Sequence, residues 1–247
     1  MLATWDDHDY GKNDAGVEWG FKQASQEIFL EFFDEAVDSP RWEREGVYAA
    51  HSFGPPNERV QIILLDTRYH RDALRRRVKA EGEYGGPYGA GSGTILGEEQ
   101  WEWLAQQLAV EADLRIICTS IQFVPEEHHW ECWANYPSER ARLMRLIEET
   151  RANGVVFVSG DRHLIELSCY RDEGAPYPLW DFTSSGLNDA TAPVDEPNRH
   201  RVGDVLRRAN FGLLLVDWKR RLLTFEGRGA ENELLLSQSV RLEDLRE

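Results

Sequence analysis

The sequence predicts a layered α/β fold, with sheets in the middle and helices outside. Three observations predict it. A chain of 247 residues can build one sizeable domain around a real core. Helical and strand-like apolar spacings are mixed along it. Short runs such as Leu114–Thr119 and Val155–Val158 are largely apolar, as strands buried on both faces are. Such strands feed polar loops, and in open α/β sheets ligand sites gather outside the strands' carboxyl ends.

Leu2–Trp5 reads as the tail of a strand, followed by a polar loop from Asp6 to about Glu18. Phe21, Ala24, Ile28, Phe29, Phe32 and Phe33 recur at helical spacing. Val47–Phe53 and Val60–Asp66 read as strands joined by the turn-forming Gly54-Pro55-Pro56-Asn57. Residues Glu81–Gly97 hold seven glycines and predict a long, mobile surface loop. Glu98 and Glu99 suit the first turn of a helix, which buries Trp101, Leu104 and Leu108. Ser138 is placed to N-cap a helix running to Ala152, with Asn153-Gly154 as its stop. Leu164–Tyr170, Leu179–Thr183, Phe211–Trp218 and Leu222–Glu226 complete a β-rich C-terminal half, its last hairpin turned by Asp217–Arg221. One domain over 1–247 accommodates all of it.

Hydrophobic residues make up 41% and charged residues 29%, a globular balance. No apolar run is long enough to cross a bilayer, and no signal-type stretch follows Met1. The expectation is that the true start lies upstream of Met1; compartment and oligomeric state are not readable. A net charge of −16 repels a phosphate backbone and argues against nonspecific nucleic-acid binding. A small anionic substrate stays compatible where bound cations reverse the sign locally. Three cysteines, Cys118, Cys132 and Cys169, with no CxxC, indicate neither a disulfide framework nor a zinc finger; Cys118 and Cys169 lie in strand-like runs, as core residues do.

Two segments concentrate chemistry. In Asp6-Asp7-His8-Asp9, three carboxylates and an imidazole occupy consecutive positions, with Asn13 and Asp14 close behind. Like charges so close repel, and a bound cation removes that penalty. A solvated acidic loop is the competing reading. The second is Gly160-Asp161-Arg162-His163, where an apolar strand ends abruptly. An Asp and a His two residues apart can reach one metal cluster if the loop curls; a capped strand end is the alternative. Ser120 and Gln122 follow another strand and can face the same crevice, though ordinary turn polarity also accounts for them. His128 and His129 read as loop residues, because adjacent side chains seldom converge on one ion.

The block Thr4-Trp5-Asp6-Asp7-His8-Asp9-Tyr10-Gly11, with Asn13 and Asp14, resembles the signature of PhoD-like alkaline phosphatases/phosphodiesterases, a branch of the calcineurin-like metallophosphoesterases. Leu64–Tyr69, Leu96–Trp101, Ser159–His163, Thr183–Leu187 and Asn210–Leu213 continue the resemblance in order. It implies two packed sheets flanked by helices, with two or more metal ions at the strand ends and a small phosphate ester as substrate. Iron with calcium is implied, and zinc, manganese or magnesium are compatible. By resemblance Asp7, Asp161 and His163 are metal ligands. His8 stabilises the transition state or protonates the leaving oxygen, and Asp9 orients His8. Asn13 and Arg162 contact phosphate, and Gln122 stands near the place of a superfamily histidine. The family pattern also places ligand-bearing strands ahead of the Trp-Asp-Asp-His block, so this chain is expected to be N-terminally incomplete, with an exposed sheet edge and an unfinished metal site. Two rival readings are a member of the family without activity and, from the nine tryptophans and many carboxylates, a carbohydrate-active protein.

Overall fold

The computed structural model describes residues 1–80, 83, 85–190 and 196–247. Strands β1 (Ala49–Phe53), β2 (Val60–Leu64), β3 (Leu114–Cys118), β4 (Val155–Ser159), β5 (Ile165–Tyr170) and β6 (Leu179–Ser184) form one sheet in the order β1-β2-β3-β4-β6-β5. Its four central strands, β2, β3, β4 and β6, are parallel, and β1 and β5 close the edges antiparallel. Strands β7 (Asn210–Asp217), β8 (Leu222–Gly229) and β9 (Leu234–Arg241) form a second, antiparallel sheet. Helices α1 (Asp7–Tyr10), α2 (Lys22–Phe32), α3 (Glu98–Leu108) and α4 (Pro137–Glu149) complete the α/β architecture.

Register explains the layering. Phe157 of β4 pairs with Asp181 of β6, so the two share a face; Val158 and Phe182 share the other. On the first face Phe157 stacks on Phe123 at 4.0 Å, Phe123 meets Trp133, and Trp133 meets Trp101 of α3. Glu139 Oε2 of α4 accepts the Trp101 indole N–H at 2.9 Å, tying α4 to α3. On the second face Trp180 and Phe182 both pack on Phe225 of β8. Gly227 packs closely there: a Cβ would lie 2.1 Å from Ile165 Cδ1 of β5, so a larger residue would displace the end of that side chain. The main sheet is thus sandwiched between helices and the smaller sheet.

Several sequence expectations are corrected. Leu2–Trp5 is not a strand: its polar groups are met by side-chain bonds, Thr4 Oγ1 to Leu65 O at 2.7 Å and Trp5 Nε1 to Asp66 Oδ1 at 2.9 Å. The following loop contains the single-turn α1. Helix α4 begins at Pro137, whose fixed φ suits the first helical position, so Ser138 lies inside its first turn. It stops at Glu149, short of Ala152. Strand β9 carried no clean alternation and was not anticipated. In the glycine-rich loop, 81, 82 and 84 lie outside the described residues. The described remainder is fastened rather than loose: Gly86 N and Tyr88 N donate to the carbonyls of His128 and His129 at 2.7 and 3.0 Å. Gly86 permits that approach, since its Cβ would sit 2.2 Å from His129 O. Cys118, Cys132 and Cys169 are free. Among the described residues, no helix is long and apolar enough to cross a membrane.

Candidate functional site

The turn after β2 sets the site. Asp66, buried, accepts from the backbone N–H groups of Arg68 and Tyr69 through Oδ1, at 2.8 and 3.0 Å, and from Val47 N through Oδ2, at 2.9 Å. The same carboxylate holds the Trp5 indole, and Trp5 packs on Tyr10 and Phe29 in a small satellite core. The acidic turn is thereby docked against the carboxyl ends of the parallel strands. Arg68, fully buried, pairs with Asp6 and, at 2.6 Å, with Glu131 Oε2; Arg71 Nη2 reaches Glu131 Oε1 at 3.1 Å. Arg71 also donates to Asp14 O at 2.6 Å. Burial pulls the Arg68 pKa down, but Asp6 and Glu131 more than reverse this and hold it well above its ordinary value. Burial pushes the Glu131 carboxyl above its ordinary value, and Arg68 and Arg71 offset only part of that rise.

The two chemistry-rich turns meet at one cavity. Asp6, Asp7, His8, Asn13 and Asp14 line one side of a cavity of about 380 Å³, and Asp161, Arg162 and His163 line another. Trp130 and Glu131, from the loop after β3, complete it. Asp14, Asp161 and His163 have φ of 53°, 67° and 50°, a left-handed backbone that costs energy without glycine and clusters at functional sites. Among the described residues the Asp161 carboxylate accepts no hydrogen bond, and Arg162 Nη1 stands 3.9 Å from it. Burial, then Asp6, then Glu131 push its carboxyl well above the usual range.

Other predicted residues are placed as follows. Asp7 is buried and accepts from His8 N at 2.7 Å and Asp14 N at 3.0 Å. The His8 side chain is 75% exposed, with Nε2 4.0 Å from Asp7 Oδ2. His163 Nδ1 faces Asp189 at 3.5 Å. Asn13 Nδ2 and Tyr88 OH both donate to Asp14 Oδ2, at 2.7 and 2.5 Å, which fixes the Asn13 amide at the cavity. Two expectations do not match their surroundings. Asp9 is absent from the cavity lining and accepts from Asp6 N at 3.3 Å rather than from His8. Gln122 is 1% exposed and donates to Glu166 and Thr183 at 3.1 and 2.8 Å, in a polar cluster away from the cavity, because its strand end turns it inward.

The oxygen and imidazole donors suit a metal ion in type. Five carboxylates against one guanidinium also leave the cavity lining short of positive charge. The donors do not converge, however: among the described residues, no three Asp, Glu, His or Cys side chains are grouped to hold an ion. Asp7 is committed to backbone amides and His163 to Asp189, so a closed coordination shell is not formed by these side chains alone.

A family model described as PhoD-like phosphatase matches residues 1–221. The chain belongs to the PhoD-like phosphatase family. Alkaline phosphatase D of Bacillus subtilis (strain 168) is 25% identical over 186 residues, covering 66% of this chain and 30% of that protein. The solved structure of PhoD shares the fold, with a TM-score of 0.70 and 21% identity over 96% of this chain and 51% of that one. The chain thus spans about half the length of that structure, and less of the Bacillus relative.

Sequence reasoning missed the buried half of this PhoD-like site. Arg68 lies in the Leu64–Tyr69 block but was given no role, and Arg71 and Glu131 carry no local signature, since a buried charge reads like a surface charge until its partners are placed. Of the nine tryptophans, Trp5, Trp101, Trp133 and Trp180 are core residues, and Trp130 lines the cavity. His128, 2% exposed, sits behind the cavity and accepts from Trp130 N through Nδ1 at 3.0 Å. Burial first, then Arg162, lower its pKa to about 3. The folded state therefore binds this proton only near pH 3, whereas the unfolded chain binds it below about 6.5. Stability should rise with pH across that window, by up to about 1.4 kcal/mol per unit from this group. Urea denaturation from pH 7 to pH 4 should show a shallower acid loss for His128→Asn; identical slopes would contradict this account.

Proposed function

We propose that the cavity is the phosphoester-binding face of a metal-dependent phosphatase acting on small phosphate monoesters or diesters. The observation that carries this reading is Asp161: a half-buried carboxylate at the cavity wall with no hydrogen-bond donor among the described residues, near two further carboxylates, in the same cavity as the Asp7-His8 turn. A cation is the simplest group that relieves it. Asp161, Asp7 and His163 are the side chains that would hold one, with further ligands from substrate, water or groups beyond these three. When bound, such ions, iron with calcium or zinc, manganese or magnesium, supply charge neutralisation and Lewis acidity. The remaining roles belong to the chain. Arg162 and the fixed Asn13 amide donate hydrogen bonds to phosphoryl oxygens. His8, exposed at the cavity, hands a proton to the leaving oxygen.

The test is hydrolysis of 4-nitrophenyl phosphate and bis(4-nitrophenyl) phosphate after chelator treatment and re-addition of each ion singly and of iron with calcium together. Turnover restored by one of these additions supports the reading; no turnover with any of them contradicts it. A second reading, a family member without turnover, is favoured by the failure of three donors to converge. The same assay separates the two. In active protein, His8→Ala should lower kcat by about 10²–10⁴-fold with little change in KM or metal content. Unchanged kcat removes His8 from the chemistry.

A further inference from the structure

The turn after β4 also carries Arg162, and two other segments converge on that side chain. Arg162 Nη2 donates to both oxygens of Glu196, at 2.7 and 2.8 Å. Trp130 Nε1 donates to Glu196 Oε1 at 2.7 Å, and the guanidinium carbon lies 5.4 Å from the Trp130 ring centre. Trp130 comes from the loop after β3, and Glu196 from the connection between β6 and β7. Arg162 and Glu196 are both buried.

A guanidinium presents five N–H donors in a rigid fork. Glu196 occupies only Nη2. Among the described residues Nη1 makes no hydrogen bond and lies 3.9 Å from Asp161 Oδ2, and Nε is buried without a partner. The fork is therefore clamped at one nitrogen, and its adjacent edge, beside Asp161, is unspent. A donor already held in place loses little freedom when a ligand arrives, so its hydrogen bond contributes more fully to binding.

We infer that Glu196 is a positioning residue, which locks Arg162 on its Trp130 platform so that Nη1 meets a phosphoryl oxygen of an ester bound beside Asp161. This rests on the phosphoester reading above and adds a residue that no motif marked.

The test is calorimetric titration of inorganic phosphate into the whole chain, in buffer containing magnesium. Five proteins are compared: wild type, Glu196→Gln, Trp130→Phe, Arg162→Met and the Arg162→Met/Glu196→Gln double variant. Glu196→Gln should weaken phosphate binding about tenfold, and Trp130→Phe, which keeps a ring but loses the N–H, about threefold. In the Arg162→Met background, Glu196→Gln should have no further effect. Thermal melts confirm folding, and Trp130→Phe carries the test if Glu196→Gln does not fold. Unchanged affinity in the folded variants overturns the positioning role and leaves the phosphate site standing. An effect undiminished in the Arg162→Met background also overturns it, because Glu196 would then act independently of Arg162. A wild type that binds no phosphate overturns the phosphoester reading, and this inference with it.

Discussion

Replacing Arg68 with methionine is expected to cost the fold about 3–5 kcal/mol, the usual penalty for removing one partner from a buried ion pair. Arg68 is fully enclosed and joins Asp6 of the acidic turn to Glu131 of the loop after β3. Without it, Glu131 keeps only Arg71, and Asp6 loses its guanidinium partner. Domain stabilities are commonly about 5–15 kcal/mol, so this single change threatens the folded state. Urea denaturation followed by tryptophan fluorescence measures it. Adding Asp6→Asn should return part of the loss, because the carboxylate left without its guanidinium is then removed, whereas Glu131 still faces Arg71. A loss below about 1 kcal/mol would show that the pair behaves like a solvated surface bridge and does not hold the two turns together.

Asp161→Asn should reverse the order of stability with and without metal. In the metal-free protein, Asp161 is desolvated beside Asp6 and Glu131 without a hydrogen-bond donor, so a neutral amide of the same shape should stabilise by about 1 kcal/mol. A cation at 100 times its dissociation constant should stabilise the wild type by about 2.7 kcal/mol, and the variant far less. Paired thermal melts in chelator and in added metal, with elemental analysis, measure both arms. Where wild type turns over substrate, the variant should lose about 10²-fold or more. A metal-dependent gain equal in both proteins would take Asp161 out of the ligand set.

These two experiments probe opposite halves of the site, and the halves differed in how legible they were. Asp7, His8, Asp161 and His163 stand in short runs whose charge density is costly without a partner, so the sequence marks them directly. The same runs overstated two residues. Asp9 and Gln122 have suitable chemistry at suitable positions, yet one caps the Asp6 amide and the other is drawn into a buried cluster with Glu166 and Thr183. Side-chain direction at a strand end depends on backbone dihedrals that residue type leaves open. The amphipathic helices and apolar strands were legible because periodicity reports which face is buried. Strand β9 and the turn at α1 were not, since neither repeats a pattern long enough to register.

Residue order alone therefore determined the α/β class, most of the elements, the family resemblance and the two turns richest in carboxylate and imidazole. Tertiary structure decided that those turns share one cavity, that Arg68, Arg71 and Glu131 tie the first of them to the loop after β3, and that Asp161 is left without a donor while Arg162 is clamped by Glu196. The division has one physical cause. Periodicity and charge density are local and survive in the unfolded chain, whereas desolvation and pairing exist only after distant segments have been brought together and water has been driven from between them.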